Sequence, residues 1–249
     1  MQAPPTFKDH FSVQSDAYQK YRPDYPKALF AWLAGQAPGR QLAVDVATGN
    51  GQAAIGLARH FESVIATEPS VAQLREARPH ARVEYRLEPA EAISVATGSA
   101  DLLVSAQAAH WFDWARFVAE SARVLRHSGV FAIWCHGRCK VVPDIDRLLD
   151  DFTRDAVGPF WPRERRHVDE GYRDLVPPFA PIEAPAFAMQ ADWNVDSMLG
   201  YLDTWSAVRR HRARTGRDSL GQLAAPLAAA WGGEIRRVCW PLTIKAGRA

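Results

Sequence analysis

Short apolar runs alternate with amphipathic stretches through the first half of the chain, and the spacing between them is regular. Leu42–Val46, Ser63–Thr67, Val83–Arg86, 100–105 and 129–135 are short runs bounded by turn residues. Runs of this kind predict strands buried in a parallel sheet. Between them, 28–35, 52–60, 71–78 and 114–125 carry apolar residues at helical spacing, as with Ile55, Leu57 and Ala58 in the second of these. Strand and helix alternating in this way predict an α/β fold with a doubly wound, mostly parallel sheet and helices on both faces.

The alternation stops near Gly137. Up to about Pro181 the chain holds several prolines, one helical stretch at 145–156 and the basic segment Arg163-Glu164-Arg165-Arg166-His167. A structureless loop of that length is improbable inside a compact domain, so a small, partly helical cap is expected. Beyond it, 186–191 reads as a sixth strand, 195–214 and 220–231 as helices, and 235–246 as the last of seven strands. The expected organisation is a single domain: an arm over 1–27, a core over 28–136, a cap insertion over 137–181 and a return to the sheet over 182–249.

Composition narrows the partners. A formal charge of +2 gives little support for a nucleic-acid partner. No apolar run approaches the ~18 residues that a membrane span requires. Residues 1–5 lack the charged and apolar regions of a secretion signal. The three cysteines, Cys135, Cys139 and Cys239, form no disulfide framework, so a cytoplasmic protein is expected.

The candidate chemistry gathers at the ends of the first strands. Asp45 closes the first strand and runs into Val46-Ala47-Thr48-Gly49-Asn50-Gly51, where glycine permits close approach of a ligand to the backbone. Such a turn lies where open α/β sheets bind ligands. Ala47 is expected to sit at negative φ, since alanine accepts positive φ only with strain. A second acid, Glu68, closes the next strand, placed to accept ribose hydroxyls through charge-assisted bonds. Gly49-Asn50-Gly51-Gln52-Ala53-Ala54 also satisfies the nicotinamide-cofactor pattern G-x-G-x-x-G/A. Asp45 separates the two possibilities, because a carboxylate repels a pyrophosphate and attracts an ammonium group.

Taken in order, Asp45 to Gly51, Glu68-Pro69-Ser70, Glu88-Pro89-Ala90-Glu91, Ser99-Ala100-Asp101-Leu102-Leu103, Gln107-Ala108-Ala109-His110-Trp111-Phe112 and Leu125-Arg126-His127-Ser128-Gly129 resemble the signature segments of class I S-adenosylmethionine-dependent methyltransferases. Ala47 and Ser128 stand where glycine is usual in that pattern. Tyr18 to Pro26 resembles the Y-x-x-x-R-P-x-Y-P opening of the type-11 and trans-aconitate groups. The resemblance implies a Rossmann-like fold and S-adenosyl-L-methionine as cofactor. It also implies a cofactor site made by Tyr18, Arg22, Asp45, Ala47, Thr48, Gly49, Gly51, Glu68, Pro69, Ala90, Glu91, Gln107, Ala108 and Trp111.

Methyl transfer from a sulfonium is an in-line displacement whose leaving group needs no proton, so alignment and desolvation dominate. A base is needed only for a protonated nucleophile, and His110 is the catalytic candidate. The expected acceptor is a small molecule methylated at oxygen, with a carboxylate among the candidates. One of Arg163, Arg165 and Arg166 is placed to hold a substrate carboxylate. A nicotinamide-dependent oxidoreductase, a non-catalytic S-adenosyl-ligand binding protein and an RNA methyltransferase remain alternative readings. Cys135-His136-Gly137-Arg138-Cys139 lacks a second ligand pair for zinc, so no metal is expected. The run Arg209-Arg210-His211-Arg212 reads as a solvated helix face.

Overall fold

The computed structural model describes residues 21–249, so Tyr18 lies outside the described residues. Helix α1 (Lys27–Gln36) leads into β1 (Leu42–Val46), α2 (Gln52–Leu57), β2 (Ser63–Thr67), α3 (Val71–Arg75), β3 (Val83–Arg86), β4 (Ala100–Ala106), α4 (Trp114–Val124) and β5 (Leu125–His136). The first half alternates helix and strand except between β3 and β4, which no helix separates. The second half holds α5 (Pro143–Asp151), α6 (Arg165–Asp169), β6 (Ala180–Ile182), β7 (Ala188–Trp193), α7 (Val195–Asp203), α8 (Ser206–Thr215), α9 (Ser219–Trp231) and β8 (Arg236–Arg248).

The sheet runs in the order β3-β2-β1-β4-β5-β8-β6, with β7 paired to β8 alone. Strands β1 to β5 pair in parallel, and β8 is antiparallel to β5, β6 and β7. The sheet is therefore mostly parallel, as expected, but has eight strands rather than seven. The missed strand is β6, three residues beside Pro181 that the sequence pattern leaves inside the cap. The first half of β8 pairs with β7 and its second half, from Leu242, with β5.

Alternation along the strands sorts the core onto two faces. Ala43, Val64, Leu102, Val104 and Trp134 pack against Leu29, Leu33 and Leu57 of α1 and α2. Val44, Val46, Leu103, Phe131 and Ile133 face Phe117 and Val124 of α4 and, beyond it, Val168 and Tyr172. Buried Asp101 ties β4 to the entry of β1, accepting from Gln41 N (2.8 Å) and Leu42 N (3.0 Å) while pairing with Arg126. A third cluster joins Ile145, Leu149 and Phe152 to Tyr201, Leu202, Leu227, Trp231 and Trp240. Residues 195–231, which the sequence pattern assigns to the return toward the sheet, thus pack both on β7 and β8 and on α5. Among the described residues no helix is long and apolar enough to cross a membrane.

Candidate active site

The strand order reverses between β1 and β4, which opens a crevice at their carboxyl ends. The turn after β1 is held by four hydrogen bonds. Thr48 N donates to Thr67 O (2.9 Å), Gly49 N to Glu68 Oε2 (3.0 Å) and Gly51 N to Thr48 O (3.0 Å), while the Thr48 hydroxyl donates to Asp45 Oδ2 (2.5 Å). This network sets Ala47 at φ 55°, Gly49 at 60° and Gly51 at 87°. The expectation of a negative φ at Ala47 is therefore corrected. The turn needs a left-handed residue there, and the surrounding bonds hold alanine in it. At Gly51 a side chain is excluded as well, because a Cβ would lie 2.2 Å from the Tyr85 hydroxyl.

Asp45 is fully buried and its Oδ1 has no hydrogen-bond partner. Burial pushes its carboxyl from 3.8 up to about 7, against the Thr48 hydroxyl and the Ala54 backbone, with Glu68 adding a smaller upward push. Glu68, also buried, accepts from Gly49 N through one oxygen and from Ser70 N (3.0 Å) through the other. It thereby clips the β1 and β2 turns together and places Pro69 at the crevice edge. The Gly49 N–H that a pyrophosphate would require is already turned toward a carboxylate, which disfavours the dinucleotide reading.

The turns after β3 and β4 are braced by their own side chains. Glu91 Oε1 accepts from Asp113 N (2.9 Å), at the start of α4, and Ala90 is buried beneath that turn. Gln107 adopts φ 58° and clamps the end of β5, accepting from His136 N (2.7 Å) and donating Nε2–H to His136 O (3.3 Å). Ala108 precedes the single turn Ala109–Trp111 that carries His110. The side chains of Glu91 and Gln107, both expected to touch a cofactor, are engaged with the backbone.

His110 faces the cap rather than open solvent. Its Nδ1 lies 3.1 Å from the Tyr172 hydroxyl, and its ring lies beside Trp111 at 4.8 Å between centres. The phenol is fully buried, and burial pushes its ionisation well above the ordinary value, so the hydroxyl stays protonated beside Nδ1. Burial, with the charges of Arg165 and His167, pushes His110 down to about 3. Such an imidazole stays neutral but accepts a proton poorly, so the geometry gives it a hydrogen-bonding role in place of the expected base. Tyr172 was not visible as a site residue, since nothing in the sequence links it to a histidine 62 positions earlier.

His136, at the end of β5, is buried and donates Nδ1–H to Gly137 O (3.1 Å). Burial and the Arg22 guanidinium hold it near 3, with a smaller push from Arg165. Arg22 lies 5.0 Å from the centre of the Tyr201 ring and reaches Thr204 Oγ1 (3.5 Å). The carboxyl ends of β1, β2, β4 and β5 thus carry Asp45, Glu68, His110 with Trp111, and His136, and the charges of Arg22 and Arg165 act on His136. Among the described residues no group of three His, Cys, Asp or Glu side chains is arranged to hold a metal ion.

Comparison with known proteins follows the same stretch of chain. A methyltransferase domain model matches residues 44–133. A Dictyostelium discoideum protein named among the methyltransferases is 33% identical over 232 residues, covering 92% of this chain and 88% of that protein. A Saccharomyces cerevisiae protein named as an S-adenosylmethionine-dependent methyltransferase is 30% identical, covering 63% of this chain and 58% of its own. A solved structure from Anaeromyxobacter dehalogenans, described as a type II methyltransferase, is 47% identical with a TM-score of 0.86, covering 92% of this chain and 98% of its own.

Proposed function

The chain belongs to the class I S-adenosylmethionine-dependent methyltransferases, and from that premise we propose that it methylates an oxygen of a small molecule, such as a carboxylate. The observation that carries the cofactor assignment is the buried Asp45 carboxyl, whose Oδ1 has no partner, beside a glycine turn at the end of β1. An orphaned acid in that position is costly unless a cation completes it, and the ammonium group of the cofactor is such a cation. Glu68 accepts from Gly49 N and Ser70 N at the end of β2 and is assigned the ribose hydroxyls. The backbone at Ala47, Thr48, Gly49 and Gly51 permits close approach, while Pro69, Ala90, Ala108 and Trp111 supply apolar walls. Arg22, from the arm, is assigned the cofactor carboxylate. Glu91 and Gln107 act as positioning residues, through Asp113 and His136 respectively.

When bound, the cofactor supplies an electrophilic methyl carbon on a sulfonium. The protein's contribution is alignment and exclusion of water, worth about 7–11 kcal/mol in model reactions. A carboxylate acceptor needs no base, which agrees with His110 and His136 both held near 3. His110 is instead assigned a neutral, hydrogen-bonding place beside Tyr172 on the acceptor side. One cap helix, α6, packs on the turn that carries His110, which supports a small molecule over RNA.

Calorimetric titration with S-adenosylhomocysteine and with NADH tests the reading. Micromolar binding of the former, weakened about tenfold or more by Glu68→Gln, is expected. Binding of NADH with no response to S-adenosylhomocysteine would refute it.

A further inference from the structure

Of the three cap arginines, Arg163 and Arg166 are exposed, whereas the Arg165 side chain is only 20% exposed. Its Nε donates to Asp169 Oδ1 (3.0 Å), one turn along α6. Its guanidinium carbon lies 4.7 Å from the centre of the Trp161 ring, which packs in turn on Trp205 at 5.4 Å. The group is therefore fixed along one edge and over one face. Among the described residues its two Nη nitrogens make no hydrogen bond to the protein and stay open to solvent. A rigid fork with its outer donors vacant matches a carboxylate bidentately.

Its position is set by α6, which packs on the Ala109–Trp111 turn. The Arg165 charge acts on His110, on His136 and on Cys135, all at the carboxyl ends of β4 and β5. Neighbouring acids do not neutralise that mouth. Asp169 holds the Nε edge, and Asp174 is paired with His167 (2.8 Å) and Arg166 (3.8 Å). The two imidazoles are neutral, and Arg22 adds a second cation beside His136. Arg163, Glu164, Arg166 and His167 line an open pocket on the same segment.

We infer that Arg165 selects the methyl acceptor by binding a carboxylate of it, so that the acceptor is an organic acid whose carboxylate is a handle distinct from the oxygen methylated. The distinction follows from charge. A carboxylate paired to a guanidinium loses that attraction as it becomes an ester, so pairing at the reacting group would stabilise the ground state over the transition state. Held as a handle, the same group aligns a second oxygen with no such penalty. The inference rests on the methyltransferase reading.

Its test uses the full chain, with and without saturating S-adenosylhomocysteine, titrated with succinate, glutarate and para-hydroxybenzoate and with the corresponding amides. The acids should bind wild type at least tenfold more tightly than the amides. Arg165→Gln should remove that preference, and Arg165→Lys, which keeps the charge without the fork, should retain part of it. Arg163→Gln, on the exposed arginine, should leave acid binding within twofold. S-adenosylhomocysteine affinity should also stay within twofold in all three variants. Independently of any acid, Arg165→Gln should raise the His110 titration seen by NMR, since a nearby cation is removed. Equal acid affinity in wild type and Arg165→Gln, or no acid preference in wild type, would overturn the inference. Acid binding lost in Arg165→Gln, with no S-adenosylhomocysteine binding in wild type, would overturn the cofactor assignment and support the anchor.

Discussion

Replacing Ala47 by glycine should stabilise the protein, although it removes a methyl group and loosens the unfolded chain. Ala47 holds φ 55° in a turn fixed by Thr48 N on Thr67 O and Gly49 N on Glu68. A left-handed conformation costs an L-residue about 1–2 kcal/mol, and glycine avoids that cost. Against it, the freer unfolded chain of the glycine variant costs about 0.4–1 kcal/mol. The side chain is only partly buried, so little packing is lost. The balance is a gain of roughly 0.5–1 kcal/mol, or about 1–4 °C in Tm for a domain of this size. Scanning calorimetry of the cofactor-free protein reads it directly. Ser128 provides an independent second site, since it holds φ 61° where the family pattern also carries glycine, and Ser128→Gly should shift Tm the same way. Ala229→Gly, at an exposed position inside α9, is the opposing control and should destabilise by about 1 kcal/mol. A Tm lowered by Ala47→Gly as by Ala229→Gly would refute the strain argument.

Gln107→Ala removes both bonds that hold the backbone of His136 and should cost about 1–3 kcal/mol in chemical denaturation; an unchanged midpoint would show that the clamp contributes nothing. His110 should show no imidazole titration across the neutral range by NMR, and His110→Ala should change S-adenosylhomocysteine affinity by no more than a few-fold; a midpoint near 6.5 would contradict its burial against Tyr172. Asp45 gives a pH dependence of stability, because its folded value of about 7 exceeds the ordinary 3.8 and the folded chain therefore keeps a proton that the unfolded chain has lost. The stability this contributes is whole below 3.8, declines as pH rises through the interval and is gone above about 7. Asp45→Asn should flatten that part of the Tm–pH curve, and parallel curves for the two proteins would refute the assignment.

The first half of the fold was legible because each of its strands is a short apolar run bracketed by a turn, and local periodicity suffices to find such runs. Leu42–Val46, Ser63–Thr67 and Val83–Arg86 fall where the pattern puts them. The second half resists at one strand. β6 is three residues with a proline at its centre, whereas the last strand, read at 235–246, is found as β8 despite its opening Arg236-Arg237 and its Pro241. The strand character of β6 comes from pairing with a distant partner, Gly247 for Pro181, and not from its own composition. The turn at Ala47 fails differently. The motif predicts that a turn occurs there, but the sign of φ is set by hydrogen bonds to Thr67 and Glu68, which no local rule contains.

The same limit divides the residues of the site. A motif finds side chains at strand ends, but it does not say whether their polar atoms point to a ligand or to the protein. Glu91 and Gln107 match the pattern as well as Asp45 does, yet their carboxylate and amide are engaged with Asp113 and His136. Asp45 keeps a buried oxygen with no partner, and Arg165 keeps two vacant donors. These two groups have opposite charge and lie on different elements, the turn after β1 and the cap. An acid that wants a cation and a cation that wants an acid describe two ligands, one for each side of the crevice. The cofactor's ammonium answers the first, and the second is what a carboxylate-bearing acceptor would answer. Conversely, residues whose hydrogen bonds already close within the protein should, when mutated, change stability more than affinity. Gln107→Ala against Arg165→Gln is therefore a direct contrast, the former expected to move the denaturation midpoint and the latter the acid affinity.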